Sequence, residues 1–153
     1  MQATPDDTFV CVTPDTLHLS QYVAHVEDDS AGAIATFSGV TRNVFQGKQV
    51  IQLEYEAYDD MAEKVMRDLC QQARNKWSLT KVAVAHKTGL CPVGETSVVI
   101  AVSSTHRQDA LQAVAWLIDE LKAKVPIWKK EVFEGGEVWK ENAESRLVAA
   151  QLQ

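Results

Sequence analysis

Four lysines lie close together in residues 121–130 (LKAKVPIWKK), and this segment contains no acidic residue. The whole chain has a formal net charge of −6, and an acid, Glu131, follows the segment directly. A lysine in a partly apolar setting beside other cations has its charged form disfavoured, so it can act as a nucleophile or a general base. The alternative is a solvated cationic edge, the usual fate of a lysine run. The segment is nevertheless the first candidate for catalytic chemistry.

Pro126 divides this segment between a predicted helix and a predicted strand. Lysines at the end of one element and the start of the next can face a common pocket. Strand alternation puts Lys129 and Glu131 on one face of the strand and Lys130 on the other. The pattern therefore favours Lys129 over Lys130 as the partner of Lys122.

The helix predicted over residues 106–124 has a second candidate site at its beginning. Thr105 and Gln108 have the spacing of a capping box, which puts His106 and Arg107 in the first turn. Free backbone N–H groups and a partial positive charge at a helix N-terminus favour an anion such as phosphate. Arginine at a helix start is also often only a solvated charge, so both interpretations stay open.

The same helix carries one aromatic residue on its polar face. Read at ~100° per residue, its buried stripe contains Ala110, Val114, Leu117, Ile118 and Leu121, whereas Trp116 falls among polar residues. Such a tryptophan indicates either a contact with another chain or a cover supplied by its own protomer.

Composition limits the classes of function. With 153 residues, 46% of them hydrophobic, we expect a single domain over residues 1–153, although residues 1–30 and 141–153 carry no recognisable motif. The acidic excess argues against a nucleic-acid binder. No apolar run approaches the ~20 residues of a membrane span, and the N-terminus is polar and acidic, so we expect a cytosolic protein without a membrane partner.

Metal and disulfide chemistry are not indicated. The three cysteines, Cys11, Cys70 and Cys91, are far apart and form no Cys-x-x-Cys pair. The four histidines lack the spacing of zinc ligands. We therefore expect no metal and no cofactor.

The predicted elements alternate and give an α+β fold. Strands are expected over residues 9–12, 31–40, 50–58, 81–87, 96–103 and 127–133, and helices over residues 15–26, 59–77 and 106–124. Residues 41–49 are interpreted as a loop, residues 89–94 as a turn-rich segment, and the tail after Lys140 as a helix. The order from Val50 onward also suits a ferredoxin-like two-layer sandwich.

The helix over residues 59–77 is amphipathic. Asp59 or Asp60 can cap it. Its predicted apolar face contains Met61, Val65, Leu69, Ala73 and Trp77.

Several segments, in this order, resemble the large, catalytic subunit of molybdopterin synthase, the MoaE family. They are residues 37–43 (FSGVTRN), 53–58 (LEYEAY) with 61–64 (MAEK), 103–107 (SSTHR) and 121–131 (LKAKVPIWKKE). The occurrence of all of these segments in the family's order identifies the family far more specifically than any one segment alone. The resemblance implies an α/β-hammerhead core with a small antiparallel β subdomain, and the ferredoxin-like sandwich is the alternative.

The resemblance also implies a reaction. Members of the family add two sulfurs to cyclic pyranopterin monophosphate, which forms the dithiolene of molybdopterin in molybdenum cofactor biosynthesis. Each sulfur comes from the C-terminal thiocarboxylate of a small, ubiquitin-like, MoaD-like subunit. The implied assembly is a dimer of large subunits with a small subunit at each end.

The family pattern carries over to individual residues. Lys122 and Lys129 match the two lysines on which activity depends, Lys122 at the thiocarboxylate and Lys129 at the pterin, either of them serving in acid/base catalysis or oxyanion stabilisation. The implied substrate-binding residues are Arg42, His106, Arg107, Lys130 and Glu131.

One small substrate cannot reach all of these residues within a single chain. His106 and Lys122 are sixteen residues apart, which is about 24 Å on a regular helix. We therefore expect a shared site, in which His106 and Arg107 of one protomer reach Lys122 and Lys129 of its neighbour. Trp116, on the outer face of the helix, fits such an interface.

Two alternatives to this function come from the residues. Cys91 departs from the family pattern, and exposure in a flexible turn would make it a candidate persulfide sulfurtransferase nucleophile. The chain could also be a non-catalytic binding module for a ubiquitin-like partner. The complete set of matching cations speaks against a degenerate copy.

Overall fold

The computed structural model describes residues 7–141, with side chains described as far as Gly136. The elements are, in order, β1 (Thr8–Thr13), α1 (Leu19–Val26), β2 (Ala33–Val40), β3 (Val44–Phe45), β4 (Lys48–Ala57), α2 (Asp59–Lys76), β5 (Lys81–Lys87), β6 (Gly89–Pro92), β7 (Thr96–Ser104), α3 (Arg107–Lys124), β8 (Ile127–Phe133) and β9 (Gly136–Glu141). They form two sheets and three helices within this range. The expected α+β class is confirmed.

The first sheet has the strand order β1-β5-β7-β2. β1 runs parallel to β5, and the other neighbours are antiparallel. α2 and α3 cover one face, and α1 covers the other. The central strands β5 and β7 are therefore buried on both faces, which explains why they are continuous apolar runs rather than alternating ones.

Each face of this sheet has its own core. On one face Met66 and Leu69 of α2 and Leu117 and Leu121 of α3 pack on apolar side chains of the sheet such as Ile100. On the other, Tyr22 and Val26 of α1 pack mainly on alanines and a valine, Ala83, Ala85, Val99 and Ala101. Burial of one large aliphatic side chain contributes about 1.5–3 kcal/mol. These contacts determine where both ends of α3 lie.

The second sheet has the order β3-β4-β8-β9, and β6 also pairs with β4. β4 and β8 are antiparallel neighbours, with Tyr55 opposite Lys129. The ferredoxin-like alternative is wrong, because it needs these two strands in the same sheet as β5 and β7. The chain instead leaves the first sheet after β2 and after α3 to build the second, in agreement with a core that carries a smaller β subdomain.

Two segments interpreted as loop and turn are strands. β3 lies within residues 41–49 and forms a hairpin with the start of β4, whose turn residues Gln46 and Gly47 have φ values of 51° and 78°. Positive φ at both positions is the geometry of a type I′ turn, but glutamine is an unusual first residue for it. β6 lies within residues 89–94 and pairs with β4. β6 was missed because its pairing with β4 joins segments that are far apart in the sequence.

The helix boundaries needed smaller corrections. α1 begins at Leu19 instead of residue 15. Asp59 lies in the first turn of α2, and the N-cap position belongs to Tyr58. The capping box is wrong, since His106 is the N-cap of α3 and makes no side-chain cap hydrogen bond.

The predicted helix faces were right for α3 and partly wrong for α2. Ala110, Val114, Leu117 and Leu121 are buried as expected, and Ile118 is half-buried. On α2 the buried residues are Ala62, Met66, Leu69, Cys70 and Ala73. Met61 was predicted to be buried but is 54% exposed. The helix predicted after Lys140 lies outside the described residues except for Glu141, which ends β9.

Gly32, directly before β2, packs against the end of β7 and the segment that leads into α3, and it leaves no room for a side chain. Its N–H donates to the Ser104 carbonyl at 3.0 Å, and an added Cβ would lie 2.5 Å from the Thr105 carbonyl oxygen. We expect Gly32→Ala to lower the free energy of unfolding by about 1–3 kcal/mol, measured by urea denaturation. Gly136→Ala is the matched control, because an added Cβ there meets nothing within 4 Å. Equal stability of the two variants would contradict this account.

Candidate active site

A cavity of about 550 Å³ opens where the two sheets meet the C-terminal end of α3. Its size falls within the usual range of small-molecule sites. β2 and β7 supply one wall through residues such as Phe37 and Val98. Ile118, Leu121 and Lys122 of α3 form a second wall, and the inner face of β4 and β8 forms a third. The β3–β4 hairpin borders the cavity as well.

An irregularity in β4 determines which of its side chains face the cavity. Val50, Leu53 and Tyr55 all line it. In a regular strand Val50 and Leu53 would point to opposite faces. The pairing with β8 shifts register between Val50 and Gln52, and the extra residue changes the alternation. The bulge therefore directs Tyr55, opposite Lys129, toward the cavity.

Three cations and one carboxylate line this cavity: Arg42, Lys122, Lys129 and Glu131. Lys122 lies in the last turn of α3, where the helix dipole favours a positive charge. Lys129 and Glu131 lie on one face of β8, with the Lys129 Nζ 3.9 Å from the Glu131 Oε1. Lys122 and Lys129, which the sequence pattern predicts to face a common pocket, both line this cavity. Glu131 is only 1% exposed.

Lys130 lies on the opposite face of β8, as the alternation predicted. Its Nζ is 2.8 Å from the Glu54 Oε2. It is absent from the lining of the cavity, so the structure does not bring it together with the other predicted substrate-binding residues.

His106 and Arg107 are also absent from the lining of the cavity. They lie at the beginning of α3, whereas Lys122 is in its last turn, and both are exposed. Within one chain, His106 and Arg107 are therefore separated from Lys122 by the length of α3, as expected.

Trp116 is half-buried and packs against residues of its own chain. Its ring meets the Trp77 ring edge to face at a centroid distance of 5.8 Å, and the Lys76 Nζ lies 5.5 Å from its centroid. The Trp77 Nε1 donates to the Gln112 Oε1 at 2.9 Å. The half-buried Trp116 thus has contacts within its own chain, as one of its two interpretations expects.

Sequence reasoning missed His86 in the cavity wall. Its Nδ1 is 2.7 Å from the Lys87 carbonyl oxygen, and its ring meets the Tyr55 ring edge to face at 4.9 Å. A carbonyl only accepts, so Nδ1 carries the proton and the neutral ring has a bare Nε2. Burial lowers the pKa of His86 to about 4, although the hydrogen bond opposes this. The available signal was the alternation of β5, which places His86 on the same face as Val82 and Val84 and opposite to Ala83 and Ala85.

Tyr55 was quoted in a motif but given no role. Burial raises the pKa of Tyr55 to about 12, against the opposing effect of a hydrogen bond with Ser97. Its phenol and the imidazole of His86 are therefore uncharged at neutral pH. Charge at the cavity is left to the lysines, Arg42 and Glu131.

Cys91 does not have the exposure that the persulfide alternative needs. It is buried in β6, where its Sγ accepts from the Thr41 Oγ1 at 3.3 Å and donates to the Glu95 carbonyl at 3.6 Å. Burial raises the pKa of the Cys91 thiol, and the hydrogen bond from Thr41 only partly opposes it. A buried, protonated thiol is a poor nucleophile. The expectation of an exposed, reactive Cys91 is wrong.

The arrangement suits an anionic, partly aromatic ligand. Apolar walls can cover a ring system, while the cations bind negative groups and stabilise charge that develops during a reaction. Among the described residues, no cluster of His, Cys, Asp and Glu could hold a metal ion. No helix in that part of the chain is long and apolar enough to cross a membrane.

Comparisons with known proteins identify relatives. The model of the MoaE protein family matches residues 12–124. The molybdopterin synthase catalytic subunit of Arabidopsis thaliana is 59% identical over 124 residues, which cover 81% of this chain and 63% of that protein. The protein of the same name from Homo sapiens is 51% identical over 132 residues, which cover 86% of this chain and 70% of that protein. The chain thus spans less than two thirds of the length of the Arabidopsis relative.

A solved structure agrees with the sequence relatives. The crystal structure of molybdopterin synthase from Staphylococcus aureus has a TM-score of 0.82 and 35% identity. The match covers 85% of this chain and 95% of that chain.

The buried His86 predicts a specific dependence of stability on pH. The unfolded chain protonates this residue near pH 6.5, and the folded chain only near pH 4. Between these values the unfolded state binds more protons, so the stabilisation is complete above pH 6.5 and is lost as pH falls toward 4. The loss is at most about 1.4 kcal/mol per pH unit.

We expect His86→Asn to flatten this dependence, because asparagine keeps a side-chain N–H but does not titrate. The measurement is the free energy of unfolding of the variant and of the native chain, from urea titrations between pH 7 and pH 4.5. The carboxylates affect both proteins alike, so their effect cancels in the difference. Parallel curves would rule out a neutral, buried His86.

Proposed function

This chain belongs to the MoaE family, and from that premise we propose that it is the sulfur-transferring, catalytic subunit of a molybdopterin synthase. Its substrate would be cyclic pyranopterin monophosphate, and its sulfur donor the C-terminal thiocarboxylate of a small ubiquitin-like subunit. The observation that carries the proposal is the convergence of Arg42, Lys122 and Lys129 on one cavity of about 550 Å³.

The cavity supports this substrate class by its charge and its shape. A phosphate-bearing pterin needs cations for the phosphate and apolar or aromatic surface for the ring. Arg42 supplies a guanidinium, and Phe37, Phe45 and Tyr55 supply aromatic surface. The surrounding chain is acidic, with twenty-one acids and fifteen bases, so an anion is attracted to this cavity and repelled by much of the remaining surface.

The two lysines divide the reaction between them. Lys122 would bind the thiocarboxylate and stabilise the oxyanion that forms when the acyl carbon is attacked. Lys129 would act at the pterin side chain, as an acid/base group or a counter-charge for the developing anion. Glu131, 3.9 Å from Lys129, would hold that ammonium in position.

The chemistry is balanced without a redox partner. The donor's C–S bond is broken and a C–S bond to the pterin side chain is formed. The acyl carbon takes up an oxygen, and the tail is released as a carboxylate. The side-chain carbon loses an oxygen in return, so no oxidant or reductant is needed. Two such transfers give the dithiolene.

The assembly is part of the same proposal. We expect a dimer of this chain, with one small subunit inserting its tail into each cavity. His106 and Arg107 of one protomer would complete the anion site of the neighbour, because they lie at the other end of α3 from Lys122. Lys130, held by Glu54, is expected to contribute to substrate contact only indirectly.

A non-catalytic binding module remains the second candidate. It would use the same cavity to hold a thiocarboxylate tail or a phosphorylated metabolite without turnover. A cytosolic location stays a prediction for either function.

The removal of Lys122 separates the two candidates. With thiocarboxylated small subunit and cyclic pterin, we expect Lys122→Ala to lower kcat/KM by about 100-fold or more, because the oxyanion loses its charge partner. Lys124→Ala is the matched control, since Lys124 is outside the cavity lining and its Nζ pairs with the Glu120 Oε2 at 2.7 Å. An active native chain with equally active variants would remove Lys122 from the mechanism. No product from a native chain that binds the small subunit would favour the binding module.

A mixed dimer tests the shared site. Lys122→Ala and Arg107→Ala chains are each expected to be nearly inactive alone. A random mixture should recover about a quarter of the native activity, since half of the dimers are mixed and each mixed dimer has one intact site. Differently tagged chains allow the mixed dimer to be purified and assayed for dithiolene product. A pure mixed dimer without activity would show that each site is built within one chain.

A further inference from the structure

Arg42 is the cation of the cavity that lies on an irregular segment. It follows β2 and precedes the short strand β3. Within the part of the chain whose side chains are described, its guanidinium makes no hydrogen bond or ion pair. A cation on a loop is a precise ligand only if the backbone beside it is held in place.

Both neighbours of Arg42 are held by hydrogen bonds. Thr41 is 3% exposed, its N–H donates to the Glu95 carbonyl at 3.1 Å, and its carbonyl accepts from the Gly94 N–H at 2.9 Å. On the other side the Asn43 carbonyl accepts from the Val50 N–H at 2.8 Å. The backbone of Arg42 is therefore bracketed by the β6–β7 turn and by β4.

The β6–β7 turn is itself held by a buried charge. The Lys87 ammonium, whose side chain is 7% exposed, bonds to the Glu95 carboxylate and to the Leu90 carbonyl. Cys91 adds a second connection, because its thiol accepts from the Thr41 hydroxyl and donates to the Glu95 carbonyl. Side-chain and backbone groups of Glu95 thus connect a buried lysine to Thr41.

We propose that Lys87, Glu95, Cys91 and Thr41 form a positioning network that fixes Arg42 at the cavity for the phosphate group of the substrate. The proposal rests on the proposed function. A buried ion pair contributes little net stability when its desolvation is counted, so its use here is positional. In this proposal Arg42 contacts the phosphate from the moment that the substrate binds, so the contact is part of substrate binding. Misplacement of Arg42 then raises KM and leaves kcat nearly unchanged.

Glu95→Gln is the first test, since it keeps the shape and the backbone bonds but removes the charge opposite Lys87. We expect KM for the cyclic pterin to rise about threefold to thirtyfold, the range found for residues that act through a neighbour, with kcat within about twofold of native. Asp28→Asn is the matched control: it removes the carboxylate of another ion pair, 3.5 Å from the Lys81 Nζ, outside the cavity lining. It should leave both constants unchanged.

A double-mutant cycle then asks whether the effect passes through Arg42. In an Arg42→Ala background, Glu95→Gln should change KM by less than about twofold, because the group it positions is gone. A native KM for Glu95→Gln, or an equal effect with and without Arg42, would overturn the network. So would a native KM for Arg42→Ala.

If the Glu95→Gln chain does not fold, a second pair of variants tests the same network. Thr41→Val removes the hydroxyl that donates to Cys91, and Thr41→Ser restores it. We expect KM to rise in the valine variant and to recover in the serine variant, and equal KM values would refute the proposal.

Failure of the proposed function and failure of this inference give different results. A native chain that makes no dithiolene product would refute the proposed function and, with it, this inference. Turnover that depends on Lys122 but not on Glu95 would refute the inference alone.

Discussion

The cavity depends on the packing of α3 against the first sheet. Leu117 and Leu121 of this helix are buried against the sheet and α2. The last turn of the helix therefore ends at the junction with the second sheet, and Lys122 is directed toward β4 and β8. Val125, 3% exposed, continues this packing into the connection to β8. The hydrophobic contacts that stabilise the core thus also position the lysines.

The cations are compatible with one another because they come from separate elements. Lys122 belongs to α3, Lys129 to β8 and Arg42 to the segment after β2. Glu131 offsets part of their repulsion from within the same strand as Lys129. The buried His86 and Tyr55 add surface without charge, since burial shifts the pKa of each away from neutrality toward the uncharged form. The result is a positively charged cavity in an acidic chain.

Local patterns predicted which side chains share a face better than they predicted how the strands pair. The alternation of β8 correctly separated Lys129 from Lys130, because side chains alternate in any regular strand. The apolar spacing of α3 correctly located its buried face. β6 looked like a turn and Cys91 looked exposed because the pairing of β6 with the distant β4 decides both. The hairpin at Gln46 and Gly47 is local, but it looked like a loop because glutamine is an unusual residue for its turn. These outcomes depend on β4, which pairs with β3, β6 and β8.

The sequence by itself determined the family, the α+β class and the chemical types of the candidate residues, because motifs, periodicity and charge are local properties. Only the tertiary structure decided which of those residues share a cavity. It joined Arg42 to Lys122 and Lys129, which follow it by 80 and 87 residues, and it separated His106 and Arg107 from them within one helix. The reason is physical: proximity in a fold follows from the sheet pairing and helix packing that bury apolar surface, and neither is encoded in the spacing of the charged residues themselves.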